Sequence, residues 1–351
     1  MFEIICDKIQ MVLRWIEMKK ILLITTGGTI ASVQTEKGLV PGIDGKNLVS
    51  YVPSISSMCN VNVLQLFNLD STNICYKHWM EIAKVIRDEY HNYDGFVICH
   101  GTDTMSYTAS ALSYLIQDSV KPIVITGSQK PINLEISDAK TNLKDSFTYV
   151  CDEHSKGVVL IFNGNVILGT RARKIRTKSF DAFKSIDYPR VAIVKDGHVI
   201  HYINNFNTDT KFYEELDKNV GLLKLIPGID DEVFEFMLNK YDALVVESFG
   251  VGGIPAYDGN HYDELIQKYS NEGKIIVMTT QVPNEGSDIA IYQVGHYLKK
   301  IPNVLEAYDM TTEAVVTKLM WILALTKEVN EVKSLFYQTI SNDILFKRDF
   351  K

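Results

Sequence analysis

Short runs of branched apolar residues alternate along this chain with longer segments in which apolar positions recur every three or four residues. The short runs predict buried strands, and the longer segments predict amphipathic helices such as the one with Trp79, Ile82 and Ile86 on one face. This alternation is typical of a parallel sheet covered by helices on both faces. In the first half of the chain, the predicted strands are residues 21–24, 61–67, 96–99, 122–126 and 158–162, and the predicted helices are residues 77–90, 105–116 and 138–150.

A polar stretch with few branched residues, 204–219, separates this pattern from a second, shorter one. We interpret it as a linker, which divides the chain into a short extension (1–19), an N-terminal α/β domain (20–203) and a C-terminal α/β domain (220–351). The predicted fold is α/β, with a larger three-layer domain on a parallel sheet and a smaller Rossmann-like domain. The second half is predicted to hold strands at 221–225, 243–247 and 275–278, helices at 231–241 and 262–269, and a last helix starting near 309–313.

Composition and charge narrow the classes of function. Of the 351 residues, 46% are apolar and 23% are charged, as in ordinary globular proteins. A net charge of −7 argues against nucleic-acid binding and favours a protein that handles small molecules. Five scattered cysteines without a CxxC pair favour reduced thiols in the cytoplasm over a disulfide framework or a zinc site. No apolar run approaches the ~20 residues that span a bilayer, and charges interrupt residues 1–17, so we expect neither a membrane span nor a signal peptide.

Four predicted strands of the first half end in loops that are rich in hydroxyl groups. Three of these loops also contain glycine, which permits a sharp turn and a close approach of a ligand to the backbone. Because the carboxyl ends of parallel strands lie at one edge of the sheet, we expect the loops to converge on one pocket. They are Thr-Thr-Gly-Gly-Thr at 25–29, Asp-Ser-Thr-Asn at 70–73, His-Gly-Thr-Asp-Thr at 100–104 and Thr-Gly-Ser-Gln-Lys-Pro at 126–131.

The residues of these loops favour acyl transfer from a small, zwitterionic amide. A threonine hydroxyl such as that of Thr29 is a weak nucleophile and needs a neighbouring base or cation. Asp103 beside Thr102 supplies a carboxylate, which could equally bind the α-ammonium group of an amino acid. A lysine of the cationic segment 171–178, held out of water against these groups, could accept a proton. Glycine N–H groups and small hydroxyls could bind a carboxylate and a developing oxyanion.

Some of these residues also have plainer interpretations. Taken alone, Thr29 could equally cap a helix. His100 is interpreted as structural rather than as a general base, although the base remains an alternative. The remaining cations of segment 171–178 are interpreted as a solvated face.

The motifs Thr-Gly-Gly-Thr-Ile-Ala, His-Gly-Thr-Asp-Thr and Thr-Gly-Ser-Gln-x-Pro, in this order, resemble those of the bacterial-type L-asparaginase family, and most of all its cytoplasmic, type I members. The resemblance extends from about residue 20 to about residue 325, with further similar segments at 220–224, 227–230, 279–281 and 309–313. It implies hydrolysis of L-asparagine to L-aspartate and ammonia in the cytoplasm, without a metal or an organic cofactor. It also implies a homodimer or a dimer of dimers.

The resemblance implies a role for each matching residue. Thr29 would be the nucleophile that forms an acyl-enzyme, and Thr102, Asp103 and Lys174 would form a second unit that activates a hydroxyl or the hydrolytic water. Lys174 corresponds to the lysine of the family when the chains are aligned on the following Phe-Lys pair. Ser71 would bind the α-carboxylate of the substrate, and Asp103 its α-amino group. The implied substrate-binding residues are Asp70, Ser71, Thr72, Thr102 and Asp103.

Several positions depart from the family pattern and leave alternatives open. Leu39 stands where a tyrosine often assists the nucleophile, so the group that activates Thr29 is unassigned. Activation of Thr29 by Lys174 or by a water is favoured instead. Some relatives that are regulated allosterically have a cysteine where this chain has Val282, so we do not expect this allosteric regulation here. The alternatives are a glutaminase and a non-catalytic amino-acid sensor on the same fold. The glutaminase subunit of a tRNA amidotransferase is disfavoured because the lead before Ile21 is too short for its extra domain.

Overall fold

A computed structural model describes residues 18–35, 38–204, 209–255, 261–291 and 293–346 of the chain. The strands of its first half are β1 (Lys20–Gly27), β2 (Ser32–Thr35), β3 (Gly38–Pro41), β4 (Asn60–Leu69), β5 (Gly95–Cys99), β6 (Ile116–Gln117), β7 (Pro122–Thr126), β8 (Gly157–Phe162), β9 (Asn165–Leu168), β10 (Ala172–Lys174), β11 (Phe183–Ser185), β12 (Ala192–Lys195), β13 (His198–His201) and β14 (Lys211–Phe212). Eight of them form one sheet in the order β13-β12-β9-β8-β7-β5-β1-β4. The strands from β4 to β8 in this order run parallel, as predicted.

Helices cover both faces of this sheet and form the three predicted layers. They are α1 (Gly45–Ser50), α2 (Tyr76–Glu89), α3 (Met105–Leu115) and α4 (Ala139–Val150). Successive side chains of β1 point to opposite faces, so that Leu22 and Ile24 enter the core under α2 and α3. Ile21 and Leu23 enter the core on the other side, which α1 and α4 cover. The alternation of this strand is therefore hidden in the sequence, because both faces are buried.

The edge of the sheet beyond β8 is antiparallel. A turn at Asn163 and Gly164, with φ of 50° and 71°, joins β8 to β9. A similar turn at Asp196 and Gly197, with φ of 53° and 78°, joins β12 to β13. Two-residue turns with positive φ join antiparallel neighbours, and Asn-Gly and Asp-Gly are their typical sequences. The sheet is thus dominated by parallel strands and ends in two hairpins.

The second half contains a parallel four-stranded sheet in the order β15 (Val220–Lys224), β16 (Ala243–Ser248), β17 (Ile275–Thr280) and β18 (Val304–Glu306). Its helices are α5 (Asp231–Lys240), α6 (Tyr262–Asn271), α7 (Gln293–Leu298), α8 (Thr312–Leu325) and α9 (Val329–Tyr337). α8 begins where it was predicted, and the Thr311 hydroxyl oxygen caps it by accepting from Ala314 N at 3.1 Å. It is followed by α9, so it is not the last helix.

The two halves share a core. α8 packs against α3, and its apolar residues belong to the same buried cluster as those of β1 and β5. Within the predicted linker, the short strand β14 pairs with β6 of the first half. The domain limits at 203 and 220 stay a prediction.

Candidate active site

The loops that follow β1, β4 and β5 touch one another through glycine. A Cβ atom on Gly28 would lie 2.4 Å from the backbone nitrogen of Gly101, and one on Gly101 would lie 2.6 Å from Ser71 Oγ. Gly28 also has a φ of +81°, in the region that favours glycine. Thr29 follows directly and opens a short 3-10 turn, Thr29–Ala31, in which it is half-buried. The glycines therefore bring Thr29, Ser71 and the second threonine loop together.

Thr102, Asp103 and Lys174 are in direct contact. Lys174 Nζ lies 2.7 Å from Thr102 Oγ1 and 2.6 Å from Asp103 Oδ1. The lysine is carried by β10, which forms a hairpin with β11, and its side chain is 17% exposed, whereas the Asp103 side chain is 61% exposed. Thr102 is buried. One cation thus joins a buried hydroxyl to a carboxylate that is open to solvent.

Gln129 is a member of this group that sequence reasoning did not single out. Its Oε1 accepts from Thr102 Oγ1 at 3.2 Å, and its Nε2 donates to the carbonyl oxygens of Arg176 (3.3 Å) and Ser179 (3.2 Å). The Asp138 carboxylate anchors the loop by accepting from Gln129 N. The signal was present, because Gln129 stands in the third of the glycine-bearing loops.

The predicted substrate-binding residues Asp70, Ser71 and Thr72 divide into two kinds. The Asp70 carboxylate accepts from both the backbone nitrogen and the hydroxyl of Thr72, each at 2.8 Å. Both residues are exposed, and the Asp70 side chain caps the 3-10 turn Ser71–Asn73, in which Thr72 lies. Ser71 is buried beside Gly101, and its carbonyl accepts from Thr104 Oγ1 at 2.8 Å. Of the three, Ser71 is the residue whose described contacts reach the loop of residues 100–104.

Thr29 has a hydroxyl that makes no hydrogen bond to any side chain or backbone group within the described ranges. Residues 36–37, which lie in the loop after this motif, are outside the described residues. The backbone of Leu39 lies in β3, paired with β2. Its side chain is outside the described part, so the group that activates Thr29 stays unassigned.

His100 is structural in this arrangement. Its Nδ1 donates to the carbonyl of Gly101 (2.7 Å), and its Nε2 accepts from Thr108 Oγ1 (2.9 Å), which itself accepts from Trp79 Nε1 (2.9 Å). Burial lowers the pKa of His100 to about 4, against the smaller opposite effect of the bond to Gly101. The imidazole is therefore neutral at pH 7, and it holds the backbone that precedes Thr102.

Arg171 corrects the interpretation of segment 171–178 as a solvated face. Its side chain is 0% exposed. The guanidinium donates to the Asp309 carboxylate (2.8 Å), to the Asp309 carbonyl (2.6 Å) and to the carbonyl of Asn342 (2.7 Å). The residues that bury it lie far away in the sequence, which local charge patterning does not detect. Arg176, by contrast, is exposed beside Asp181, as predicted.

Two further properties concern metals and membranes. In the parts of the chain that the structure describes, no group of three or more His, Cys, Asp or Glu side chains is placed to hold a metal ion. Over the same parts, none of the helices combines the length and the apolar character needed to cross a bilayer.

The fold and the site define a class of two-domain α/β proteins with threonine loops at the carboxyl ends of a parallel-dominated sheet. The chain belongs to the asparaginase family: the family description "Asparaginase, N-terminal" matches residues 20–206, and "Glutaminase/Asparaginase C-terminal domain" matches residues 219–336. The family predicted from the motifs is confirmed.

Individual relatives carry two different names. The chain is 37% identical over 328 residues to an L-asparaginase of Thermococcus kodakarensis, covering 93% of this chain and 99% of the relative. It is 32% identical over 340 residues to a Glutamyl-tRNA(Gln) amidotransferase subunit of Pyrococcus horikoshii, covering 92% of this chain and 76% of the relative.

Solved structures give the same picture of the fold. The thermostable L-asparaginase from Thermococcus kodakarensis superimposes with a TM-score of 0.86 at 35% identity, covering 93% of this chain and all (100%) of that one. L-asparaginase I from Vibrio cholerae gives 0.81 at 28% identity, covering 94% and 100%. A probable cytoplasmic L-asparaginase from Campylobacter jejuni gives 0.78 at 26% identity, covering 91% and 99%.

Proposed function

We propose that this protein is an L-asparagine amidohydrolase that produces L-aspartate and ammonia through an acyl-enzyme. The observation that carries the proposal is the contact of Lys174 with both Thr102 and Asp103, next to the glycine contact that brings the Thr29 loop alongside. The similarity to the Thermococcus kodakarensis L-asparaginase supports the choice of substrate.

In the first half of the proposed reaction, the Thr29 oxygen attacks the carbon of the side-chain amide. The new C–O bond forms, the C–N bond breaks, and the proton of the Thr29 hydroxyl leaves with the nitrogen as ammonia. Backbone N–H groups of the glycine loops would stabilise the oxyanion. Ser71 would bind the α-carboxylate, and the open side of the Asp103 carboxylate would bind the α-ammonium group.

In the second half, water hydrolyses the ester on Thr29 and releases L-aspartate. Thr102, Lys174 and Asp103 would orient this water and stabilise the charge that develops on it as it attacks the ester. No step of this route needs a metal or an organic cofactor. We further propose a cytoplasmic protein that forms a homodimer or a dimer of dimers, because the type I resemblance implies it and a structural neighbour is described as probably cytoplasmic.

A glutaminase is the second candidate, because several relatives at 32–33% identity are amidotransferase subunits that this chain covers over 76–81% of their length. Glutamine is longer than asparagine by one methylene, which pocket fit alone discriminates by ~1–3 kcal/mol. The amidotransferase interpretation adds partner subunits, whereas the asparaginase interpretation does not.

The test is ammonia release by the purified protein, without added metal, with L-asparagine and L-glutamine in parallel. We expect saturable release from asparagine, at least about tenfold more efficient than from glutamine. Thr29→Ala should lower turnover by at least about a thousandfold because the nucleophile is gone. Preferred release from glutamine would replace the proposal by the glutaminase, and binding without release would replace it by the sensor.

A further inference from the structure

The hydrogen bonds of Gln129 determine which way the Thr102 hydroxyl points. Both Nε2 hydrogens are taken by carbonyl oxygens, those of Arg176 and Ser179, and carbonyls can only accept. The amide oxygen is therefore the atom that faces Thr102, at 3.2 Å. Since an amide oxygen also only accepts, the hydroxyl proton of Thr102 lies on this bond.

Lys174 occupies a second position on the same hydroxyl. As an ammonium it has only donors, and Nζ donates to Thr102 Oγ1 at 2.7 Å. A hydroxyl has one proton and two lone pairs, so Gln129 takes the proton, Lys174 takes one lone pair, and one lone pair is left within the described contacts. In this state Thr102 can accept one further hydrogen bond and can donate none.

An acceptor is what the second half of the proposed reaction requires. A water that attacks an ester must turn a lone pair towards the carbon and a proton towards an acceptor. We propose that Gln129 is a positioning residue that keeps Thr102 a hydrogen-bond acceptor, so that Thr102 orients the water that hydrolyses the acyl-enzyme. The inference rests on the proposed function and assigns Gln129 to its deacylation step.

The chemistry of that step separates it from acylation. The water oxygen bonds to the acyl carbon, the bond to the Thr29 oxygen breaks, one water proton ends on that oxygen, and the other leaves with the new carboxyl group. Hydroxylamine, a stronger nucleophile than water, can replace it: its nitrogen bonds to the acyl carbon, a proton passes to Thr29, and β-aspartyl hydroxamate is released. Hydroxylamine does not need a positioned acceptor to the same degree.

The experiment compares the full chain with Gln129→Met and with Lys130→Met as the matched control. Lys130 is the next residue of the same loop and is exposed, with its ammonium over the Phe180 ring. In Gln129→Met we expect steady-state turnover of asparagine to fall about tenfold, the equivalent of one neutral hydrogen bond, with KM lowered or unchanged. Rapid mixing should show a burst of about one ammonia per site, because the acyl-enzyme accumulates.

The effect of hydroxylamine on the rate of ammonia release distinguishes a role of Gln129 in deacylation from a merely structural role. It should accelerate ammonia release by Gln129→Met about tenfold more than it accelerates release by the wild type or by Lys130→Met, with hydroxamate as the product. If thermal unfolding shows that Gln129→Met is not folded, Gln129→Asn takes its place, because it keeps the amide and withdraws it by one methylene from Thr102.

Two results would overturn the role of Gln129 alone. One is unchanged turnover in the folded variant, and the other is slower turnover with neither a burst nor a hydroxylamine effect, which would assign the loss to acylation. A wild-type protein that releases no ammonia from either amide would overturn the proposed function and this inference with it.

Discussion

Acidification should weaken the fold through one buried histidine, His100. The imidazole is fully buried, and its two nitrogens are bonded to the Gly101 carbonyl and to the Thr108 hydroxyl, both of which are neutral. Burial therefore lowers the pKa of His100 from 6.5 to about 4. The unfolded chain takes up the proton below about pH 6.5, whereas the folded chain resists it until about pH 4.

The direction and size of the effect follow from this difference. Because the unfolded state binds more protons between the two pKa values, stability is present above pH 6.5 and is lost as pH falls towards 4. One pKa unit is equivalent to about 1.4 kcal/mol, so the whole window represents about 3 kcal/mol. Between pH 7 and pH 4.5 the expected loss is about 2 kcal/mol.

The assay is urea unfolding, followed by circular dichroism, of the wild type and of His100→Gln at pH 7 and pH 4.5. Other titrating groups, such as Asp145, whose pKa burial raises to about 6, are present in both proteins and drop out of the comparison. The variant should be less stable at pH 7 and should lose about 2 kcal/mol less on acidification. Equal losses in the two proteins would show that His100 does not titrate between these pH values.

Three further predictions concern the site and its supports. Gly28→Ala should abolish ammonia release, because the new Cβ would lie 2.4 Å from Gly101 N. The control Gly197→Ala should keep ammonia release, because Gly197 has a similar φ but no atom within 4 Å of the new Cβ. Equal loss of activity in the two variants would assign the loss to backbone strain. Ser71→Ala should raise KM by about ten- to a hundredfold, the equivalent of a hydrogen bond to a charged group, and an unchanged KM would remove Ser71 from the substrate. Arg171→Leu should cost about 3–5 kcal/mol in the free energy of urea unfolding, since the buried Asp309 carboxylate keeps its backbone donors Leu345 N and Phe346 N but loses its cation, and a cost below about 1 kcal/mol would contradict that account.

Much of the first domain could be predicted because its signals are local. Apolar runs of the length of a strand mark β1, β5, β7 and β8, and the glycines after β1 and β5 mark sharp turns at their carboxyl ends. The grouping of Thr102, Asp103 and Lys174 came from family motifs, and the structure places their side chains in contact. Their roles in the reaction stay predictions.

The unpredicted features depend on contacts between distant parts of the chain or on turn chemistry. In the sequence, Arg171 stands among other cations, a pattern that predicts an exposed position. Its partners Asp309 and Asn342 come close to it only in the folded chain. The antiparallel edge was signalled by the Asn163-Gly164 turn, but the apolar pattern of β8 alone does not give the direction of its neighbour. For Gln129, the side-chain direction is set by carbonyls some fifty residues further along.

The bond from Arg171 to the carbonyl of Asn342 limits when this part of the fold can be completed during synthesis. The Asn342 carbonyl that Arg171 binds lies 171 positions later, and a ribosome that adds about 5–20 residues per second needs roughly 10–30 s to reach it. During that interval Arg171, which precedes Lys174 by three residues, lacks its hydrogen bond to Asn342. A nascent chain can therefore assemble its threonine loops and pair β10 with β11 before the bond from Arg171 to Asn342 can form.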